Sequence, residues 1–472
     1  MATILDYQPP PDLRPPARRP VVEMLTLAGP TIAQMASYNV MQFIDTWMLS
    51  HLGEAPPTAA SNAGMIAWAS MSLGIGVLFV VCTLVSQSFG RGEFAACGQH
   101  LWQGLWFSFG YALLIVPLLP LAGPIFVALG HGPELIPLET CYFQIVIPAA
   151  VLKLGATALG QYLLAINRPG MVFAATAAGV SVNVAAAWMM VLGGLGVAPQ
   201  GVAGAAWAQN LGVAVELAVL VTFVMLPHLR RSFHAMDCAL RREKFVTLLK
   251  IGLPSGLQVT GDAIAWSLFL VGIMGLFGQT VMAANTFVLR YWSVSFMPVW
   301  GLTTAVTALV GRYIGMGRHD LAERRAYLAF VVGGGYMVMC GLVFLVFRHA
   351  LIGAFSDQDE IVRIGGVIFI IAAIYQVFDA MYMIFSGALR GAGDTLVPGL
   401  ATLISCWLIT VIGGWTVARL WHDAGPIGPW SAATVYGVLL GVFMVWRFAR
   451  GGWRRIRLER GDSSLTRGGP PA

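Results

Sequence analysis

Long apolar runs recur along almost the whole chain, and no other feature limits its possible folds as strongly. A helix that crosses a bilayer needs about 20 consecutive apolar residues. We read twelve such runs, with a polar break after the sixth. They predict twelve membrane-spanning helices, at residues 27–49, 63–86, 101–121, 135–165, 170–192, 202–226, 251–277, 280–310, 327–347, 364–388, 396–418 and 430–449.

The composition agrees with a protein that lies in lipid. Hydrophobic residues make up 57% of the 472 residues and charged residues only 11%, whereas soluble domains carry about a quarter. So few ionic groups exclude a soluble enzyme, a disordered protein and a nucleic-acid-binding module. Strands of a membrane barrel are about ten residues long and alternate in polarity. The runs are longer and uniformly apolar, so the sequence predicts an all-α polytopic membrane protein.

Lysine and arginine residues fall almost entirely on one side of the predicted membrane, which is also the side of both termini. Only Arg348, Arg363 and Arg419 fall on the opposite side, and Lys153 and Arg290 lie within spans. Cytoplasmic loops are the ones enriched in these residues, so we expect both termini in the cytoplasm. The first twenty residues contain no apolar run, and we expect the first span, rather than a cleaved signal peptide, to direct insertion.

The polar stretch after the sixth run divides the chain into two halves. Our interpretation is a disordered cytoplasmic tail at 1–22, an N-lobe of six helices at 23–226, a cytoplasmic linker at 227–250, a C-lobe of six helices at 251–450 and a cytoplasmic tail at 451–472. The basic linker also has the pattern of an amphipathic helix at the membrane surface.

The two halves align weakly when one is shifted by about 225 residues, which indicates an internal repeat. The shift places Pro30 and Gln34 on Pro254 and Gln258, and Thr176 falls on Thr402. Because each half has an even number of spans, both insert in the same orientation. We therefore expect two lobes related by a pseudo-two-fold axis along the membrane normal, with a cavity between them.

Two aspartates are predicted to lie at the same depth in the second half. Asp262 follows Lys250 by twelve residues and Asp379 precedes Arg390 by eleven, which places both about 17 Å from the basic boundary, near the midplane. Ionisable groups at this depth are usually paired or functional. Two carboxylates there could share a proton or a small cation, and hydrogen bonding to helix backbones is the structural alternative.

Four other ionisable residues fall within spans. Asp45 lies nearer the membrane boundary opposite the basic one. It is either a cation or proton site or a buried neutral acid. Lys153 and Glu216 project to mid-membrane, where an ion pair of Lys153 with Glu216 or Asp45 is the structural interpretation. The functional one is a built-in ammonium that competes with a transported cation for Asp45. Arg290 is expected to anchor its span at the interface.

Aromatic residues surround the two second-half aspartates in the sequence. Candidate lining residues of a cavity for flat organic cations are Trp266, Phe287, Tyr291 and Tyr382. Contact with lipid or with other helices is the alternative for each of them. Pro298 interrupts the eighth run and is a candidate hinge, because proline removes a backbone hydrogen bond.

Three stretches resemble one known family: FIDTWMLSHLG at 43–53, GVAGAAWA at 201–208 and YQVFDAMYMIFSGALRGAGDT at 375–395. Over about residues 23–450 the chain resembles the multidrug and toxic compound extrusion (MATE) transporters, in their NorM-like bacterial branch. The resemblance implies an antiporter that exports organic cations and is driven by H⁺ or Na⁺. It also implies residence in the bacterial inner membrane.

The resemblance also implies two cation sites. In the C-lobe Asp262 and Asp379 match the family's acids, with Tyr375 as a neighbour, although the first acid is usually Glu. In the N-lobe Asp45 and Asn183 match. The family's companion Asn and Thr are replaced by Ala187 and Gln209. A sodium site needs several oxygens, so we favour H⁺ over Na⁺ as the coupling ion.

Other functions agree less well with the sequence. A flippase for a lipid-linked sugar or another amphiphile would need a wide basic cavity, whereas the spans carry four acids and two bases. A passive channel would not require carboxylates in the middle of one lobe.

No HExxH, GxSxG or P-loop motif is present, so we expect no enzyme activity, no cofactor and no metal. The expected partners are small organic cations and the bilayer, with no nucleic acid, and we expect a monomer.

Overall fold

Twelve long helices, numbered α1 to α12 in chain order, account for most of the structure. It is a computed structural model that describes residues 20–196, 198–356, 358–421, 425–456 and 458. Over these residues all regular structure is helical. The uninterrupted helices are α1 (Pro20–Ser50), α2 (Ala55–Arg91), α3 (Phe94–Ile115), α5 (Pro169–Leu192), α6 (Val202–Val224), α8 (Gln279–Gly315), α9 (His319–Gly353), α10 (Asp359–Ala392) and α12 (Ile427–Ala449).

Three of the long helices are interrupted. Helix α4 consists of Ile136–Val146 and Ala150–Ala165, which meet at 51°. Helix α7 (Arg242–Ser267) continues as the π-helical turn Leu268–Ile273, and α11 runs through Leu396–Ser405, the π-helical Cys406–Gly413 and Gly414–Leu420. Short helical segments lie between the long helices or after them, at Val116–Leu118, Ala122–Ala128, Gly194–Gly196, Pro227–Ser232 and Gly452–Arg455.

The prediction of twelve membrane-spanning helices is confirmed. Ten helices are long and apolar enough to cross a membrane, and the bent α4 is the eleventh span. The remaining predicted span corresponds to α1, a helix of 31 residues that falls outside this set of apolar helices. Several helices extend beyond the predicted spans, since α2 begins at Ala55 and α9 runs from His319 to Gly353. Hydropathy detects only the part of a helix that lies in hydrocarbon, so polar extensions outside it escape prediction.

The helices form two lobes with matching internal packing. In the N-lobe α1 packs on α5, α5 on α6, and α4 on α2, α3 and α6. In the C-lobe α7 packs on α11, α11 on α12, and α10 on α8, α9 and α12. Each of these N-lobe contacts therefore has its counterpart six helices later. This correspondence is the pseudo-two-fold relationship that the repeat predicted.

The lobes meet along one end of the bundle, here called the basic end, where α2 ends at Arg91 and α10 passes Arg390. Helix α2 packs against α7 and α8, and α1 against α8. The Ser72 and Thr260 hydroxyls lie 2.8 Å apart, and nearer the basic end Thr83 donates to the carbonyl of Arg390 at 2.8 Å. These contacts close the space between the lobes toward the basic end.

Glycines allow the two lobes to approach this closely. A Cβ atom on Gly76 would lie 2.7 Å from the Cα of Gly256, and one on Gly90 would lie 2.1 Å from the carbonyl oxygen of Arg312. Small residues are the usual means by which helices come into backbone contact in membranes, where the hydrophobic effect does not drive helix association. The closed seam thus depends on residues without side chains.

Helix α1 belongs to both lobes. Met24, Leu27 and Ala28 are buried among C-lobe residues, whereas Met48 and Leu49 are buried in the N-lobe core. At its first turn Glu23 accepts a hydrogen bond from Tyr313 at 2.7 Å and forms an ion pair with Arg325 at 2.8 Å. The start of α1 is therefore fixed to the C-lobe at the basic end.

The segment between the lobes is bound along α3. Trp102 donates to the carbonyl of Ala235 at 2.8 Å, and Gln99 donates to Asp237 at 2.9 Å. The bond from Gln99 and the pairing with Arg241 hold the pKa of the Asp237 carboxyl below its ordinary value. Helix α7 already begins at Arg242, so residues 242–250 continue that helix instead of forming a separate surface helix.

The predicted tails lie mostly outside the described residues. Residues 1–19 of the N-terminal tail are not among them, and α1 begins at Pro20. Of the C-terminal tail, 457 and 459–472 lie outside, and Leu458 packs at the basic end, where its side chain lies 2.6 Å from the Cβ position of Gly393.

We predict that Gly76→Leu opens the basic end. The added side chain cannot fit against Gly256, and overpacking costs about 1–3 kcal/mol. Each 1.4 kcal/mol lowers the ratio of closed to open protein by about tenfold. Cys82 of α2 is fully buried, so its modification by a water-soluble maleimide, followed by peptide mass spectrometry, should accelerate by about tenfold or more. Gly110→Leu is the control, because a Cβ there meets no atom within 4 Å. Equal labelling in both variants contradicts the prediction.

Candidate functional site

In the C-lobe the two predicted aspartates lie close enough for their charges to interact. Asp262 lies on α7 and Asp379 on α10, and the charge of Asp262 acts on Asp379. Asp262 accepts hydrogen bonds from the hydroxyls of Tyr382, at 2.9 Å, and Tyr436, at 3.3 Å. Asp379 is only 4% exposed, and its Oδ2 has no hydrogen-bond partner within the described chain.

Sequence analysis missed two residues that support this site. Gln258 donates from its Nε2 to the Tyr382 hydroxyl at 3.0 Å and to Thr402 Oγ1 at 3.2 Å. Tyr436, from α12, is the second phenol on Asp262. Gln258 and Thr402 had been noted only as repeat positions, and nothing in the sequence distinguished Tyr436 from other aromatics.

No positive charge is paired with either carboxylate: over the described residues neither forms an ion pair with lysine or arginine. The hydroxyls that donate to Asp262 belong to neutral phenols, and within the described chain the buried Nε2 of Gln376 on α10 also lacks a hydrogen-bond partner. Two buried carboxylates without compensation are strongly disfavoured. The arrangement therefore favours uptake of a proton or a small cation.

An aromatic cluster stands beside the carboxylates. Tyr375 is 3% exposed and lies edge-on to Trp266 and Trp292, with ring centroids 6.0 Å and 5.3 Å away. Trp292 and Trp430 continue the cluster at 5.9 Å. Gly437 of α12 leaves the space for Tyr375, because a Cβ there would lie 2.5 Å from the ring.

Two predicted cavity residues lie elsewhere. Phe287 stacks on Phe355 with centroids 4.9 Å apart, and Tyr291 donates to the carbonyl of Leu351 at 3.1 Å. They pack against the end of α9, whereas Trp266 and Tyr382 lie at the carboxylates. The sequence treated the four aromatic residues alike, because aromatic character alone does not show which side of a helix packs where. Arg290 is exposed, and Pro298 lies within the continuous helix α8.

The predicted outer N-lobe site also comes together. Asn183 of α5 lies beside Asp45 of α1, and the Tyr142 hydroxyl, which the charge of Asp45 also reaches, donates to Gln209 Oε1. The Oδ1 of Asp45 and both carboxamide atoms of Asn183 are buried and make no well-formed hydrogen bond within the described chain. Ala187, which replaces an oxygen ligand of the family pattern, is fully buried.

A third acidic site lies deeper in the N-lobe. Tyr38 donates to both carboxylate oxygens of Glu216, at 2.6 Å and 2.8 Å. Thr176 donates to the same carboxylate at 2.8 Å, and Gln34 donates to Thr176 at 3.0 Å. The Lys153 ammonium donates to Tyr38 at 3.3 Å and lies 4.4 Å from the centre of its ring. Lys153 is thus joined to Glu216 through Tyr38 and not to Asp45.

The two deep sites are built on the same framework. The bond from Gln34 to Thr176 in the N-lobe corresponds to the bond from Gln258 to Thr402 in the C-lobe, as the repeat alignment predicts. The same shift places Tyr38 on Asp262 and Lys153 on Asp379. One framework therefore holds two carboxylates in the C-lobe but a phenol and an ammonium in the N-lobe.

Comparisons with known proteins agree with this architecture. The sequence model of the MatE family matches residues 30–189 and 263–416, one segment in each lobe. The chain is 29% identical to "Probable multidrug resistance protein NorM" of Pseudomonas syringae, over 96% of this chain and 98% of that protein. It is 25% identical to "Multidrug resistance protein NorM" of Aliivibrio fischeri, over 90% and 91%.

Solved structures show the same fold. The eukaryotic MATE transporter AtDTX14 superposes with a TM-score of 0.82 at 19% identity, over 92% of this chain and 97% of that one. An outward-facing MATE family transporter of the MOP superfamily superposes with a TM-score of 0.79 at 17% identity, over 93% and 98%. With two matching lobes, a family match over more than half of its length and NorM relatives along nearly all of it, the chain belongs to the MATE family of membrane transporters.

Proposed function

We propose that this protein is a cation-coupled antiporter that exports organic cations and drugs by alternating access. The observation that carries the proposal is the uncompensated pair Asp262 and Asp379, because such a pair needs an incoming proton or cation. The NorM relatives are named as multidrug resistance proteins, which supports export of drugs. The aromatic cluster beside the pair suits flat cationic molecules.

Orientation follows from the distribution of basic residues. The basic end, with both termini, faces the cytoplasm of a bacterial cell, and the protein lies in the inner membrane. The seam between the lobes is closed toward that end, so this conformation blocks access to the space between the lobes from the cytoplasm. Closure of the outer halves, coupled to separation of the glycine seam, would give the opposite state.

In the transport cycle the coupling ion and the organic cation occupy the C-lobe site alternately. A cation or proton that arrives from outside binds Asp262 and Asp379, neutralises them and displaces the organic cation outward. The loaded lobes then reopen toward the cytoplasm, where the coupling ion leaves and a new substrate binds. A ligand shifts a conformational equilibrium only by its differential affinity for the two states. The unoccupied, negatively charged pair must therefore be less stable in one of the two conformations, inward-open or outward-open, than in the other.

Protons are favoured over sodium as the coupling ion. A carboxylate can take up a proton without further ligands, because the proton forms a covalent bond to one of its oxygens. A sodium site requires several oxygens, and Ala187 supplies none beside Asp45 and Asn183. Pro298 remains the proposed hinge of α8, since a proline inside a helix weakens it locally.

The charge of Asp379 is predicted to be essential for exchange. Asp379→Asn keeps the size of the side chain but removes the ionisable group, so proteoliposomes should lose exchange of ethidium for the coupling ion while thermal unfolding stays close to wild type. Asp320→Asn, at an exposed site in the first turn of α9, is the matched control and should transport normally. Undiminished exchange by Asp379→Asn contradicts the antiport scheme and strengthens a flippase for a lipid-linked sugar or another amphiphile.

The position of Tyr375 is predicted to matter for binding. Gly437→Ala places a methyl group against its ring, and overpacking of this kind costs about 1–3 kcal/mol, so ethidium affinity measured by fluorescence polarisation should fall by about tenfold. Gly335→Ala is the control, since a Cβ there meets no atom within 4 Å. Equal affinities of the two variants would show that Tyr375 does not contribute to the binding site.

A further inference from the structure

The deep N-lobe pocket offers the ligands of a monovalent cation. The Glu216 carboxylate is joined there by the hydroxyls of Tyr38 and Thr176, with the carboxamide of Gln34 one bond further away. Glu216 is 4% exposed. Carboxylate, hydroxyl and carbonyl oxygens are the groups that hard cations take in proteins.

The chain supplies a cation to this pocket from within. The Lys153 ammonium is a compact single positive charge, and the charge of Glu216 acts on it. Lys153 donates to Tyr38, Tyr38 donates to Glu216, Gln34 donates to Thr176, and Thr176 donates to Glu216. Tyr38 and Thr176 thus donate directly to the Glu216 carboxylate, and Lys153 and Gln34 each donate to one of these two hydroxyls.

The C-lobe shows the same framework without its own cation. Its equivalent of Lys153 is Asp379, and its equivalent of Tyr38 is Asp262. The glutamine–threonine bond that holds the framework is present in both lobes. The lobes therefore differ in one respect that matters for ions: the C-lobe pocket must obtain its positive charge from outside, whereas the N-lobe pocket contains one.

We propose that the deep N-lobe pocket is a monovalent-cation site that the protein fills with its own Lys153 ammonium. While Lys153 is present, Na⁺ does not bind there, and the pocket contributes no coupling ion to a transport cycle. Removal of the ammonium turns Glu216, Tyr38 and Thr176 into a site for Na⁺. The inference concerns this pocket alone and does not depend on which molecule is exported.

The test is a gain of sodium binding. Equilibrium binding of radioactive ²²Na⁺ to the purified full-length protein is measured for wild type and for Lys153→Met, which keeps the length of the side chain. The variant is expected to bind one more Na⁺ per protein than wild type. The double variant Lys153→Met, Glu216→Gln should lose this additional ion. Lys250→Met, at an exposed position of α7, removes a lysine elsewhere and should match wild type.

Folding of the variant gives a second readout. Without Lys153 the carboxylate of Glu216 is left buried and unpaired, which is destabilising. Lys153→Met should therefore unfold at a higher temperature in sodium chloride than in choline chloride, by a larger difference than wild type shows. Lys153→Arg retains the charge and should resemble wild type in both salts. No additional Na⁺, no greater stabilisation by sodium, or failure to fold in either salt overturns the proposal.

Discussion

Two buried carboxylates that have no basic partner among the described residues are the constraint on which the proposed function of this protein depends. Asp262 and Asp379 share the interior of the C-lobe with phenols and indoles, and a negative pair in such surroundings is disfavoured unless a cation or proton joins it. Asp262 accepts hydrogen bonds from Tyr382 and Tyr436, whereas one oxygen of Asp379 has no hydrogen-bond partner within the described chain. We therefore propose that the site holds an ion that the protein does not provide.

The two-lobe architecture determines how such a site takes part in the proposed transport cycle. A common framework repeated in two lobes creates equivalent pockets on either side of the seam, and the glycines of that seam let the lobes close at the basic end. The pockets then diverge in charge. Lys153 compensates Glu216 in the N-lobe, while the C-lobe pair and Asp45 have no such partner within the described chain. Equivalent positions of the two lobes therefore carry side chains of different charge within the same fold.

The sequence predicted the architecture well because hydrophobic length and repeat spacing are carried by many residues at once. It also predicted that Asp262, Asp379 and Tyr375 lie together, and that Asp45 lies near Asn183. It did not predict Tyr38 or Tyr436, because a tyrosine in an apolar helix looks the same whether it contacts lipid or a carboxylate. For the same reason it did not predict that Phe287 and Tyr291 pack against Phe355 and Leu351 at the end of α9, because only three-dimensional packing determines the rotation of α8.

The central claim is that the C-lobe carboxylates bind the coupling ion, with H⁺ favoured. The most direct measurement is uptake of ethidium into inside-out proteoliposomes under a proton gradient and, separately, under a sodium gradient. The account predicts uptake driven by the proton gradient alone. Uptake driven only by sodium would contradict the favoured coupling ion, and the absence of uptake under both gradients would contradict cation-coupled export of ethidium itself.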